Sequence, residues 1–157
     1  MYICKKKENM SFIKSIHHIV FSTKKRTLSI NQEHERELYA YIMGIITNLG
    51  GHLYRIGGMP DHIHILASIP STVSLSDFVK TIKQSSSIWL GKNENFLNWI
   101  GWEDGYGAFT YSEKELSAVI EYIKNQKEHH KKVSFRDEYR EWLLEMGISP
   151  DAPYFPR

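Results

Sequence analysis

The stretch Met59-Pro60-Asp61-His62-Ile63-His64-Ile65-Leu66 sets two imidazoles two residues apart, directly after a Pro-Asp pair. On a strand, side chains two apart point the same way, so His62, His64 and Leu66 share one face. Ile63, Ile65 and Ala67 share the other, which is wholly apolar and suited to burial under helices. Two neighbouring neutral imidazoles are natural nitrogen ligands for a divalent metal ion. For a bare His-x-His, the commoner alternative is two half-exposed histidines on a sheet face. A second group lies in Val119 to Lys132, VIEYIKNQKEHHKK. Tyr122 and Gln126 are four apart and stack on one helical face, and His129 extends that face. Gln126 offers a carbonyl oxygen as a third neutral ligand, and Tyr122 a phenol one turn away. Taken alone, that helix equally fits a tyrosine at the core edge and a solvated glutamine.

Other His-x-His chemistries need partners that this chain lacks. A histidine-triad hydrolase needs a third histidine at the next alternate position, which is Leu66. A metallo-β-lactamase-type site needs Asp-His soon after the pair, where Ala67-Ser68-Ile69-Pro70 stands. An amidohydrolase barrel needs a much longer chain. What remains is a metal site completed from elsewhere in a small domain.

The elements that must position these groups can be read from periodicity and punctuation. FIKSIHHIVFS, Phe12 to Ser22, is rich in β-branched and aromatic residues and predicts a strand. Its His17 and His18 point to opposite faces and read as structural, as do His34 and His52. A basic loop, Lys24-Lys25-Arg26, follows. Asn31 caps a helix predicted from Gln32 to about Leu49, ended by Gly50-Gly51. Strands are expected over His52 to Ile56 and His62 to Ile69, with Gly57 to Asp61 as the turn. A second helix opens at Leu75 and carries Phe78, Val79, Ile82, Ile88 and Trp89. GYGAFTY, Gly105 to Tyr111, is a fourth strand. Ser112 and Glu115 make a capping-box pattern for a third helix reaching about Lys132. An amphipathic helix over Phe135 to Met146 ends at Gly147. The order β-α-β-β-α-β with added helices predicts an α+β, ferredoxin-like (split βαβ) antiparallel sheet. Its helices are expected on one face, with an extra C-terminal helix carrying the tyrosine.

Composition bounds the function more loosely. The chain has 157 residues, 41% of them apolar and 24% charged, enough for one domain with a real core. Residues 1–9 read as a flexible extension before Met10, and 10–157 as a single domain. The net charge of +2 announces no polyanion partner by itself, although basic residues cluster locally. Cys4 is the only cysteine, which excludes an internal disulfide and fits a reducing cytosol. No apolar run spans a bilayer, so no membrane partner is expected.

Taken together, PDHIHIL, GYGAFTYS and YIKNQKEHH resemble the single-tyrosine HUH transposases of the insertion-sequence-200/605 type. In that family a histidine–hydrophobe–histidine motif sits on a central strand and a Tyr-x-x-x-Gln motif on a later helix. The resemblance covers Met10 to about Ile148. It implies a transposase that cleaves and rejoins single-stranded DNA through a covalent 5′-phosphotyrosine. Tyr122 would be the nucleophile, His62, His64 and Gln126 would hold Mg²⁺ or Mn²⁺, and His129 would stand just outside them. The family also implies subterminal DNA hairpins as substrate and a homodimer that lends the tyrosine helix to its partner. Lys24, Lys25, Arg26, Lys80 and Lys83 are candidate phosphate contacts, each against the ordinary reading of a solvated surface charge. Trp89, Trp99 and Trp102 are candidate base-stacking groups, with packing the commoner role. The competing readings are a REP-associated tyrosine transposase, a domesticated single-stranded-DNA binder, and a metal-dependent phosphodiesterase that uses water.

Overall fold

The structure, a computed structural model, describes residues 12–149. The extension expected over residues 1–9 lies outside them. Four strands form one antiparallel sheet in the order β2-β3-β1-β4: β1 is Ile16–Ser22, β2 His52–Met59, β3 His62–Ser68 and β4 Gly107–Thr110. β3 pairs antiparallel with both β1 and β2. β1 and β2 therefore run parallel with β3 between them, joined through α1 (Glu35–Asn48), which is a split βαβ crossover. A second helix, α2 (Leu75–Gly91), connects β3 to β4 at the far edge.

Alternation along the strands divides the sheet into two faces. Ile19, Phe21, Ile63, Ile65 and Ala67 point to one face and pack with Leu38, Ile42 and Ile46 of α1 and Phe78, Val79 and Ile82 of α2. This is the main core. The other face is covered by the C-terminal elements: α3 (Leu116–Lys124), the single turn α4 (Gln126–His129) and α5 (Phe135–Glu145). Ile16 and Leu66 meet Val119 and Ile123 of α3, while Val20 meets Phe135, Tyr139 and Leu143 of α5. Helices thus lie on both faces rather than one, because five helices carry more apolar surface than one sheet face can bury.

Two local departures from the predicted elements matter for the site. The β2–β3 turn is tighter than expected: β2 extends to Met59, which pairs with His62, leaving only Pro60-Asp61 as the loop. The third helix does not run unbroken to Lys132. It ends at Lys124, and Asn125 (φ −94, ψ 15) separates it from α4. α3 lies close on β2 because Gly57 has no side chain. A Cβ there would meet the Ile123 carbonyl oxygen at 3.0 Å. The predicted Ser112–Glu115 capping box is present at the start of this helical run. Among the described residues, no helix is long and apolar enough to cross a membrane.

Candidate functional site

The second sheet face carries a run of polar groups where an apolar layer would be expected. His18 on β1 and His62 and His64 on β3 are all buried there, facing α3, α4 and α5. Gln126, the first residue of α4, brings its Oε1 to 3.4 Å from His62 Nε2 and 2.9 Å from His130 Nε2. From α5 comes Glu138, 1% exposed. Its Oε1 lies 3.4 Å from His64 Nε2, and its Oε2 lies 2.8 Å from His129 Nε2 and 3.4 Å from His130 Nε2. The Tyr122 hydroxyl donates to Glu138 Oε2 and lies 3.5 Å from His129 Nε2. The sequence-predicted set of His62, His64, Gln126, Tyr122 and His129 is therefore gathered at one point, within a single chain. Tyr122 lies beside His64 of the same chain, with ring centroids 6.0 Å apart.

Groups behind the ligating atoms fix the rings. Asp61 Oδ1 lies 2.7 Å from His62 Nδ1. A carboxylate only accepts, so Nδ1 carries a proton, and the ring turns its Nε2 toward Gln126. Asp61 is held in turn by Arg26, 3.4 Å from its Oδ2. Arg26 also lies over the Phe135 ring, which stacks on His62 at 4.1 Å. His64 Nδ1 is 2.9 Å from His18 Nε2, and the two rings stack. Trp142 of α5 closes over His18, His64 and Tyr122, with ring centroids 5.2–5.6 Å away.

The electrostatics follow from this enclosure. Burial pushes the His64 imidazole down to about 4, against the opposing pull of the Glu138 carboxylate beside it, so the ring stays a neutral ligand. Burial, helped by the neighbouring His64, lowers His18 to about 3. Burial works to raise the Glu138 carboxyl, but the His130 and His64 imidazoles beside it outweigh that and hold the group ionised. Burial and the bond to Glu138 raise the Tyr122 phenol well above its ordinary value.

Do these residues fit a divalent ion? Ligand atoms of His62, His64, His130 and Glu138 all lie within 4.8 Å of one another. His64 Nε2 and Glu138 Oε1 are buried without a hydrogen-bond partner, and they face each other. Two electron-pair donors left facing across such a gap are what a cation satisfies, and a dry site is where leaving them unsatisfied costs most. The donors fit the group.

The basic candidates divide by position. Lys24, Lys25 and Arg26 form a short 3-10 turn after β1, with Lys25 and Arg26 both at positive φ (54 and 53). Through Asp61 that turn touches the site. Lys80 and Lys83 belong to α2, on the opposite face of the sheet. Lys83 Nζ donates to the carbonyls of Glu103 and Gly105, so it braces the approach to β4. The tryptophans take the commoner role and pack: Trp102 edge-on against Phe21, Trp99 on Trp102, and Trp89 on Tyr41.

Sequence reasoning missed Asp61, Glu138 and Trp142, and read His18 as structural. For Glu138 a signal was present. Phe135, Glu138, Tyr139 and Leu143 recur at helical spacing, all buried, so a carboxylate sits within the apolar stripe of α5. His18 joins the site through strand pairing, which sets it across from Leu66 beside His64.

Residues 11–126 match the family described as "Transposase IS200 like". The transposases for insertion sequence element IS200 of Salmonella typhimurium and Salmonella typhi are each 29% identical over 120 residues, covering 73% of this chain and 78% of theirs. A putative transposase from Deinococcus radiodurans superposes with a TM-score of 0.55 at 26% identity, over 77% of this chain and 98% of that one. A REP-associated tyrosine transposase bound to a REP hairpin shares the fold, with a TM-score of 0.59 at 15% identity, over 82% of this chain and 76% of that one.

Proposed function

Because the chain belongs to the family of IS200-like transposases, we propose that it cleaves and rejoins single-stranded DNA at the ends of an insertion element, with Tyr122 as the nucleophile. The observation that carries this is the position of the Tyr122 hydroxyl at the cluster that gathers His62, His64 and Gln126. Tyr122 Oη attacks a backbone phosphorus, loses its proton, and becomes joined to the 5′ phosphate. The bond to the 3′ oxygen breaks and leaves a 3′ hydroxyl. One phosphoester replaces another, so rejoining needs no external energy source. A free phenol has a pKa near ~10 and is a weak nucleophile at neutral pH, so the site must favour the phenolate as it forms.

His62, His64 and Gln126 would hold Mg²⁺ or Mn²⁺. Such an ion, when bound, polarises the phosphate and stabilises charge on its oxygens. Asp61 and His18 orient His62 and His64, and His129 lies beside the Tyr122 hydroxyl, both meeting Glu138 Oε2. Lys24, Lys25 and Arg26 are positioned to meet the DNA backbone beside the site. A DNA substrate folded into hairpins and a cytoplasmic setting go with this reading. So does a homodimer paired through the exposed edge of β4, with each tyrosine serving its own chain. A REP-associated role is a second reading, supported by the fold shared with the hairpin-bound protein. The target hairpin separates the two.

The test is nicking of a labelled hairpin oligonucleotide in Mg²⁺ or Mn²⁺. Wild type should cut it, and His62→Ala, His64→Ala and wild type in EDTA should not. Undiminished cutting in EDTA would refute the metal-dependent reading, and binding without cutting would favour the domesticated binder.

A further inference from the structure

Glu138 belongs to α5, beyond residues 11–126, where the family match ends. It is nonetheless the only carboxylate in the cluster of His62, His64 and His130. Its two oxygens face different ways. Oε2 takes the Tyr122 hydroxyl and the Nε2 of His129. Oε1 has no hydrogen-bond partner, is buried, and lies 3.4 Å from the equally unpartnered His64 Nε2. We propose that Glu138 is a bridging carboxylate, with Oε1 a direct ligand of the divalent ion and Oε2 the group that holds the Tyr122 hydroxyl beside it.

This deepens the proposed function and rests on it for the role of Tyr122, but the metal-binding half stands on the cluster alone. Histidines and an amide are neutral donors. An anionic oxygen added to them strengthens binding of a small divalent cation and lowers the net charge of the centre. A set rich in imidazole with one carboxylate suits Mn²⁺ better than Mg²⁺, which prefers oxygen ligands and retains its waters. Geometrically, a bridge through one carboxylate fixes the distance between nucleophile and ion. Glu138 is thus a ligand and a positioning residue that sequence comparison over the first 126 residues would not find.

The experiment is Mn²⁺ titration of the full chain by calorimetry, without DNA, with folding checked by circular dichroism. Glu138→Gln should weaken Mn²⁺ binding at least about tenfold, the scale on which metal sites respond to lost partners. His129→Ala and Tyr122→Phe, which touch only the Oε2 side, should weaken Mn²⁺ binding less than Glu138→Gln does. Mn²⁺ affinity unchanged in folded Glu138→Gln overturns the proposal. Should that variant fail to fold, anomalous diffraction from wild-type crystals soaked in Mn²⁺ decides: an ion on Glu138 Oε1 supports it, and an ion bound without Glu138 overturns it. The DNA reading fails separately. If Tyr122→Phe still forms a covalent adduct, the nucleophile is misassigned while the calorimetry stands.

Discussion

At the residue scale, the site is a set of donors whose rings are held by neighbours. Asp61 and His18 leave the Nε2 atoms of His62 and His64 aimed inward, and each orienting contact is under 3 Å (2.7 and 2.9 Å). Losing one should cost less than losing a ligand. Asp61→Asn should lower cleavage by roughly 10- to 100-fold through weaker metal binding, measured as a raised Mn²⁺ requirement. A variant that saturates at the same Mn²⁺ as wild type would contradict this. Burial also makes the metal-free protein sensitive to acid. His18 and His64 have folded values near 3 and 4, below the value of ~6.5 for an unfolded histidine. The unfolded chain therefore takes up protons first. The stability these rings contribute is present above pH ~6.5 and is lost as pH falls through their folded values, on the order of a few kcal/mol in all. Melting temperature in EDTA should fall steeply from pH 6.5 to pH 4; a flat profile there would count against a buried neutral pair. The histidine pair drew notice through strand spacing that gives a shared face, and Tyr122 and Gln126 were joined to it by the family resemblance rather than by spacing alone. Asp61, His18 and Glu138 were not legible, since each joins the site through a turn, a strand pairing or a helix packing that spacing does not encode.

At the element scale, every strand and long helix was legible, because alternation and helical periodicity report burial directly. Boundaries shifted where tertiary contact overrode local signals. Gly57-Gly58 reads as a turn but pairs in β2, and the hairpin needs only Pro60-Asp61. The helix break at Asn125 carries no glycine or proline to announce it. It nevertheless sets the site, since Tyr122 precedes the break and Gln126 follows it. The depth of α3 against the sheet depends on Gly57. Gly57→Val adds atoms where a Cβ already meets Ile123 at 3.0 Å, so α3 must lift. Overpacking of this kind costs typically 1–3 kcal/mol. The expected outcome is a folded protein with lowered melting temperature and cleavage reduced more than DNA binding. Wild-type cleavage in that variant would show that α3 need not sit where it does.

At the scale of the whole molecule, one sheet serves two purposes. Its first face builds the core with α1 and α2, and its second holds the chemistry under α3, α4 and α5. The sequence marked the first as apolar but did not reveal how many helices cover the second, because five short amphipathic segments do not say which face they choose. The closed arrangement makes a prediction about assembly. Tyr122 meets its own chain's histidines, so a mixed dimer of Tyr122→Phe and His64→Ala subunits should stay inactive; restored cleavage would mean that the tyrosine serves its partner. A small net charge, with the basic turn beside the site, favours a flexible single strand over a rigid duplex groove. Equal cleavage of a perfect duplex would contradict that preference. The central claim, that Tyr122 becomes covalently joined to DNA, is tested most directly by incubating the protein with labelled single-stranded hairpin DNA and Mn²⁺ and digesting the SDS-resistant product. A DNA 5′ phosphate carried on the peptide containing Tyr122, absent in Tyr122→Phe while DNA binding persists, is the expected result. An adduct that survives in Tyr122→Phe, or cleavage with no adduct at all, would contradict it.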